Sequence, residues 1–199
     1  FIRLKDAVQQ GGPMTGSDDF YLGATRRSDA KDSLKPTNEQ IMGEILPALK
    51  KAIDSTEQRD INSSCMIAMA KIGADHNDFK LIDVFTPRLK KADQEVRETA
   101  ALAIGIAAIA GEKEMDLLVG LALDKEKGRA AAGGSVDDRT RSFAIYGLGL
   151  TANKTTKVEI KKQAFDAMKE ILTDEKVSNR NLKVAAINGI SILNIGTAG

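Results

Sequence analysis

The chain has 199 residues, enough for one domain with a real core or for a short array of repeats. Lys+Arg 29 against Asp+Glu 28 leaves a formal charge of +1, which removes the concentrated cationic excess that nucleic-acid affinity rests on. Trp is absent and aromatic residues make up 4% of the chain, so many small aliphatic contacts between helices are expected rather than a few aromatic anchors.

Residues 1–36 read as an irregular extension, rich in Gly, Ser, Asp and charge ("QQGGPMTGSDDFYLG"), with turn signals at Gly11–Pro13 and Lys35–Pro36. The apolar island Phe20, Tyr21 and Leu22 is expected to pack on the end of whatever follows. A first residue of Phe rather than Met makes a longer natural protein the expectation.

From Thr37 the texture turns helical. Thr37-x-x-Gln40 has the form of a capping box, and Ile41, Ile45, Leu46, Leu49 and Ile53 follow at helical spacing. After polar "DSTEQRD", a second helix is predicted to bury Ile61, Cys65, Ile67, Ala68 and Ile72. A third should carry Phe79, Ile82, Phe85 and Leu89, and Asp93 should cap a fourth, "QEVRETAALAIGIAAIA". The stretch "KEKGRAAAGGSVDD" is longer than a usual turn and reads as a flexible insertion, covering the loop 126–136. Asp137 or Ser135 is the expected cap of the helix beyond it.

Internal repetition organises these helices. Gly105, Gly147 and Gly189 align in "VRETAALAIGIA", "DRTRSFAIYGLGL" and "RNLKVAAINGISIL", with Ala70 in the same place in "INSSCMIAMAKIG". Cys65, Ala100, Ser142 and Val184 hold the position five before. Pro47 and Pro87 share a place before Leu-Lys-Lys-Ala, where each would bend a first helix by removing a backbone hydrogen bond. One helical hairpin cannot bury both its apolar sides, so each repeat relies on the next.

The paired helices, the first-helix prolines and Asp-x-x-Val-Arg-x-x-Ala-Ala-x-Ala-Ile-Gly at residues 93–105 together resemble HEAT repeats. The resemblance covers roughly residues 37–195, and its short second-helix signature is also similar to HEAT-like repeats of bacterial type. It implies an all-α, right-handed α-solenoid of about four HEAT-like hairpins, at approximately 37–75, 76–111, 112–153 and 154–199. It also implies a non-catalytic scaffold or adaptor for an unidentified protein or peptide, held on a concave face of second helices. Asn62, Arg97, Arg139 and Asn181 are the candidate partner-binding positions there. Arg97 and Arg139, read as equivalent, could instead form an Asp/Arg ladder between repeats. Two further readings follow from the same resemblance: an enzyme accessory of the chromophore-lyase kind, and a nucleic-acid-binding array, which the charge balance opposes.

Chemistry finds little purchase. His76 is the one histidine and reads as an exposed loop residue, short of the ligands a metal needs. Cys65 is the one cysteine, so no intramolecular disulfide forms; its apolar neighbours make it a packing residue, and it favours a reducing compartment such as the cytoplasm. The pairs Lys50-Lys51, Lys90-Lys91 and Lys161-Lys162 sit among acidic residues and read as a solvated face. No nucleophile motif, metal cluster or cofactor signature occurs, no catalytic residue is assigned, and no run of about eighteen apolar residues offers a membrane span.

Overall fold

The computed structural model describes residues 36–109 and 111–193. The expected extension over residues 1–36, with Phe20, Tyr21 and Leu22, lies outside these apart from Pro36. The chain falls into two units, Phe1–Glu44 and Ile45–Gly199, each taken by itself.

In the first unit, Thr37 caps the short helix α1 (Asn38–Gln40) through the expected capping box. The Gln40 amide donates to Thr37 Oγ1 at 3.2 Å and the Thr37 amide to Gln40 Oε1 at 2.9 Å. A π-helical turn, Ile41–Ile45, follows.

The second unit consists of α2 (Leu46–Asp54), α3 (Arg59–Ile72), α4 (Leu81–Phe85) running into a 3-10 turn (Thr86–Lys90), α5 (Gln94–Ile106), α6 (Glu112–Ala122), α7 (Glu126–Ala132), α8 (Asp138–Lys154), α9 (Val158–Thr173) and α10 (Arg180–Leu193). All regular structure among the described residues is helical. Packing is ordered by sequence. α3 lies on α5, α5 on α8 and α8 on α10; α2, α6 and α9 pack against α3, α8 and α10 respectively.

Both prolines, expected to bend first helices, stand where one helical type gives way to another. Pro47 stands in the first turn of α2, just after the π turn, and Pro87 in the first turn of the 3-10 segment. The backbone is already helical before each proline, at Ile45 and at Phe85 and Thr86, so the missing N–H falls where the helical pitch changes, from π to α at Pro47 and from α to 3-10 at Pro87.

The seam of small residues exists, with a register that sequence alignment misplaced. Asp93 caps α5 by accepting from the Val96 amide, and Asp137 caps α8 by accepting from the Thr140 amide. Counted from these caps, Gly105 matches Gly149 rather than Gly147, and Arg97 matches Arg141 rather than Arg139. Two consecutive aspartates and two glycines two apart in α8 made the alternative frame look equally good. The αL residues that follow α3 and α5 keep the same count from their caps, at Gly73 (φ 66°) and Ala108 (φ 53°).

Glycines meet across two of the three joints, α5–α8 and α8–α10. A Cβ on Gly105 would stand 2.2 Å from Gly147 Cα, and one on Gly149 would stand 2.7 Å from the Gly189 carbonyl oxygen. Gly147 and Gly149 thus serve opposite sides of α8, which is buried between α5 and α10. Residues separated by two in a helix point about 200° apart, which is what this sandwiched position requires.

Helix α3 shows a further shift of face. It buries Asn62, Cys65, Met66, Met69 and Ala70, whereas Ile61 is 38% exposed. The apolar count favoured Ile61; a buried polar cluster built on Asn62 fixes the face instead. The stretch read as a flexible insertion contains α7, whose Gly128 lies so close to α6 that its Cβ would stand 2.2 Å from the Gly120 carbonyl.

Gly105→Ala therefore lowers stability by about 1–3 kcal/mol, although alanine is the better helix former by about 1 kcal/mol. Gly43→Ala, where an added Cβ meets nothing within 4 Å, leaves stability unchanged or raises it. Thermal melts should fall for Gly105→Ala and hold or rise for Gly43→Ala.

Candidate functional site

The four candidate residues separate once their partners are known. Asn62 is 2% exposed, so it is not a surface position. Its amide nitrogen donates to the carbonyls of Thr56 (2.9 Å) and Gln58 (3.0 Å), closing the turn before α3. Its Oδ1 accepts from Arg88 Nε at 3.4 Å. A buried amide is retained only when both ends are bonded, and here both are.

Arg88, which the sequence reading passed over, is the centre of this cluster. Its Nη1 donates to the Val84 carbonyl (2.6 Å), and its Nη2 to the Ile53 carbonyl (3.1 Å) and Asp54 Oδ1 (3.0 Å). One guanidinium thus ties the end of α2, the start of α3 and the 3-10 turn together. The only signal for it was an arginine among apolar residues directly after Pro87. Burial pushes the Asp54 carboxyl up, but bonds from Lys50 and Arg88 outweigh it and hold the carboxyl below its ordinary value.

Arg97 is also structural. Its Nη1 donates to the carbonyls of Lys91 (2.9 Å) and Ala92 (2.7 Å), while its Nε lies 3.4 Å from Asp137 Oδ2 on the cap of α8. Gln94 Nε2 reaches the other oxygen of the same carboxylate at 3.3 Å. Burial raises the Asp137 carboxyl, and the Thr140 amide and hydroxyl with Arg97 more than reverse this.

Arg139 remains exposed but covers a buried acid. Its Nε lies 2.9 Å from Glu98 Oε1 and its Nη2 donates to Oε2 at 3.0 Å; the Glu98 side chain is 3% exposed, that of Arg139 69%. Burial pushes the Glu98 carboxyl up by more than Arg139 pulls it down. Asn181 is fully on the surface, its backbone amide donating to Asn179 Oδ1 at 2.8 Å. Arg139 and Asn181 are therefore the two candidates left accessible, each in the first turn of a helix of the α3–α5–α8–α10 series.

The other chemical candidates resolve into packing. His76 is not an exposed loop residue: its side chain is 12% exposed, stacks on Phe79 at 4.8 Å between ring centres, and accepts the Asp78 amide at Nδ1. Cys65 is buried, which raises its thiol and suppresses the thiolate. Lys50, Lys91 and Lys162 form ion pairs with Asp54, Glu57 and Asp166. A cleft of about 350 Å³ between Lys90, Lys91, Arg97 and the Gly133–Ser135 turn ends at the start of α8. The anion position of that helix terminus is filled by the protein's own Asp137.

Asp124 organises the turn that precedes α8. It adopts φ 53°, a conformation aspartate tolerates better than most side chains. Its carboxylate accepts from Arg129 Nε (3.0 Å) and Nη2 (2.7 Å) and from the Val136 amide (2.8 Å). The bond from Arg129 above all holds this carboxyl below its ordinary value, against the effect of burial.

Among the described residues there is no group of three or more His, Cys, Asp or Glu placed to hold a metal, and no helix long and apolar enough to cross a membrane. Comparison with protein-family models, curated proteins and solved structures finds no match.

Two outcomes follow. Arg88→Ala leaves the Asn62 and Asp54 acceptors and two carbonyls without their donor and lowers stability by about 2–4 kcal/mol in chemical denaturation. For pH, Asp54, Asp124 and Asp137 have lowered folded-state values, so their contribution is fully present above the ordinary aspartate range and is lost as pH falls from about 5 down through those lowered values. Glu98, raised in the folded state, acts with the opposite sign. Melting temperature against pH should therefore fall less steeply in Asp124→Asn and more steeply in Glu98→Gln than in the wild type.

Proposed function

We propose that this chain is a HEAT-like α-solenoid acting as a non-catalytic scaffold for another protein or a peptide. The observation that carries this reading is the serial packing of α3, α5, α8 and α10, with α2, α6 and α9 each packed on the later member of its pair. Side-chain links between successive members recur at nearly constant separation. Gln94 and Arg97 meet Asp137, Glu98 meets Arg139, and Tyr146 Oη accepts from Asn188 Nδ2 at 3.3 Å. Repetition of one joint along a row of helices is the property that generates extended binding surfaces.

The interior supports a scaffold over an enzyme. Asn62, Arg88 and Glu98, the buried side chains that carry an amide or a charge, are each engaged in joining helices rather than converging on a shared space. Partner contact is assigned to the exposed first turns of α8 and α10, where Arg139 and Asn181 project. Asn62 and Arg97 are left out of the surface because their bonds hold the fold.

An Arg139→Gln/Asn181→Ala double variant, with wild-type helix content by circular dichroism, tests the assignment. Used as bait beside the wild-type chain, it should lose at least one protein that the wild type captures, by about tenfold in mass-spectrometric signal, as expected for removal of roughly 1.4 kcal/mol or more of contact energy. Capture of the same proteins in the same amounts removes this face.

A further inference from the structure

The α5–α8 and α8–α10 joints are made by defined positions counted from the residue that caps the helix. The face that looks forward is set by the eighth and twelfth residues after the cap: Ala101 and Gly105 on α5, Ile145 and Gly149 on α8. The face that receives is set by the tenth, Gly147 on α8 and Gly189 on α10. Built contacts follow this rule. A Cβ on Gly147 would stand 3.2 Å from the Ala101 carbonyl oxygen, and one on Gly189 would stand 3.2 Å from that of Ile145; Gly105 faces Gly147 and Gly149 faces Gly189.

On α10, whose Asn179 holds the capping place, the forward positions are Ile187 and Ser191. Neither is covered: Ile187 is 57% exposed, Ser191 is exposed, and Val184 on the same side is 43% exposed. At the other end, α3 has Ala68 in the receiving place, with Ile61 and Ser64 on that side, both exposed. The chain thus carries one forward face and one receiving face without a described helix upon them, with the small residues Ser191 and Ala68 where the inner joints place glycine.

Charge agrees with the match. Within the chain, opposite charges cross the first two joints near the helix starts: Arg59 to Glu95 at 3.4 Å between α3 and α5, and Arg97 to Asp137 and Glu98 to Arg139 between α5 and α8; at the α8–α10 joint the Asn179 amide donates to Asp138 instead. The first turns of α10 carry Arg180 and Lys183, while the start of α3 carries Glu57 and Asp60, each with a side chain 80% exposed.

We propose that the chain self-associates head to tail, with the Val184, Ile187 and Ser191 face of α10 in one copy docking on the Ile61, Ser64 and Ala68 face of α3 in another. The two faces differ, so the contact is heterologous and each added copy leaves one of each open, giving a ring or an open row. This rests on the helix register and not on the partner-binding reading, which the pull-down tests separately.

Ile187→Glu and Ile61→Glu each block one face at an exposed position, and circular dichroism melts check that both variants fold. In sedimentation velocity across a hundredfold concentration range, the 199-residue wild type should grow beyond monomer mass as concentration rises. Each variant alone should stay monomeric. Their equimolar mixture should form a species of twice the monomer mass and stop there, since Ile187→Glu keeps the receiving face and Ile61→Glu the forward one. A wild type monomeric at every concentration overturns the proposal, and means that another segment or a different protein covers these faces. Association by Ile61→Glu alone, while Ile187→Glu alone stays monomeric, overturns it in favour of α10 meeting α10.

Discussion

The structure depends on backbone meeting backbone. At Gly105–Gly147 and Gly149–Gly189, neighbouring helices approach so closely that a single methyl group would overlap main-chain atoms. Dispersion contacts are weak singly and fall off steeply with separation, so a joint made of main-chain atoms gains many of them at once. It also loses all of them together if the helices are pushed apart. The low aromatic content follows from this: a core assembled from close helix backbones leaves little space for large rings.

Such a seam has no directional preference of its own, and polar side chains supply one. Arg88 ties three segments around Asn62, Arg97 spans from α5 to the cap of α8, and Arg139 seals Glu98 from water. Each link fixes which turn of one helix faces which turn of the next. A slide by one turn along a row of small residues would cost little in packing alone, but it would strand these buried charges. Asp137 serves both purposes, closing the start of α8 and receiving Arg97 of the preceding helix.

Much of this was legible in the chain. The helical class, the capping box at Thr37, the caps at Asp93 and Asp137 and the small-residue positions all announced themselves through spacing, because each is a local property of a few residues. What escaped was non-local. Arg88 and Asn62 look like surface residues until the segments that enclose them are brought together. Ile61 looked buried because periodicity records an apolar side without saying how much of it is covered. Helix α7 was hidden in a glycine-rich stretch, since its Gly128 reflects contact with Gly120 rather than a turn. The frame of α8 was ambiguous for a plain reason: paired aspartates and paired glycines allow two alignments, and only the caps choose between them.

The two glycines of α8 give that helix a particular standing. It alone among the described helices presents glycine on both of its contact sides, Gly147 toward α5 and Gly149 toward α10. Its neighbours each bring a single glycine, Gly105 and Gly189, and those two are of the complementary kinds. A chain lacking the hairpin built on α8 would still bring glycine against glycine at the new junction. Modules of this sort can be gained or lost through duplication and deletion without redesign of what remains, so the length of the row is free to change while its joints stay the same.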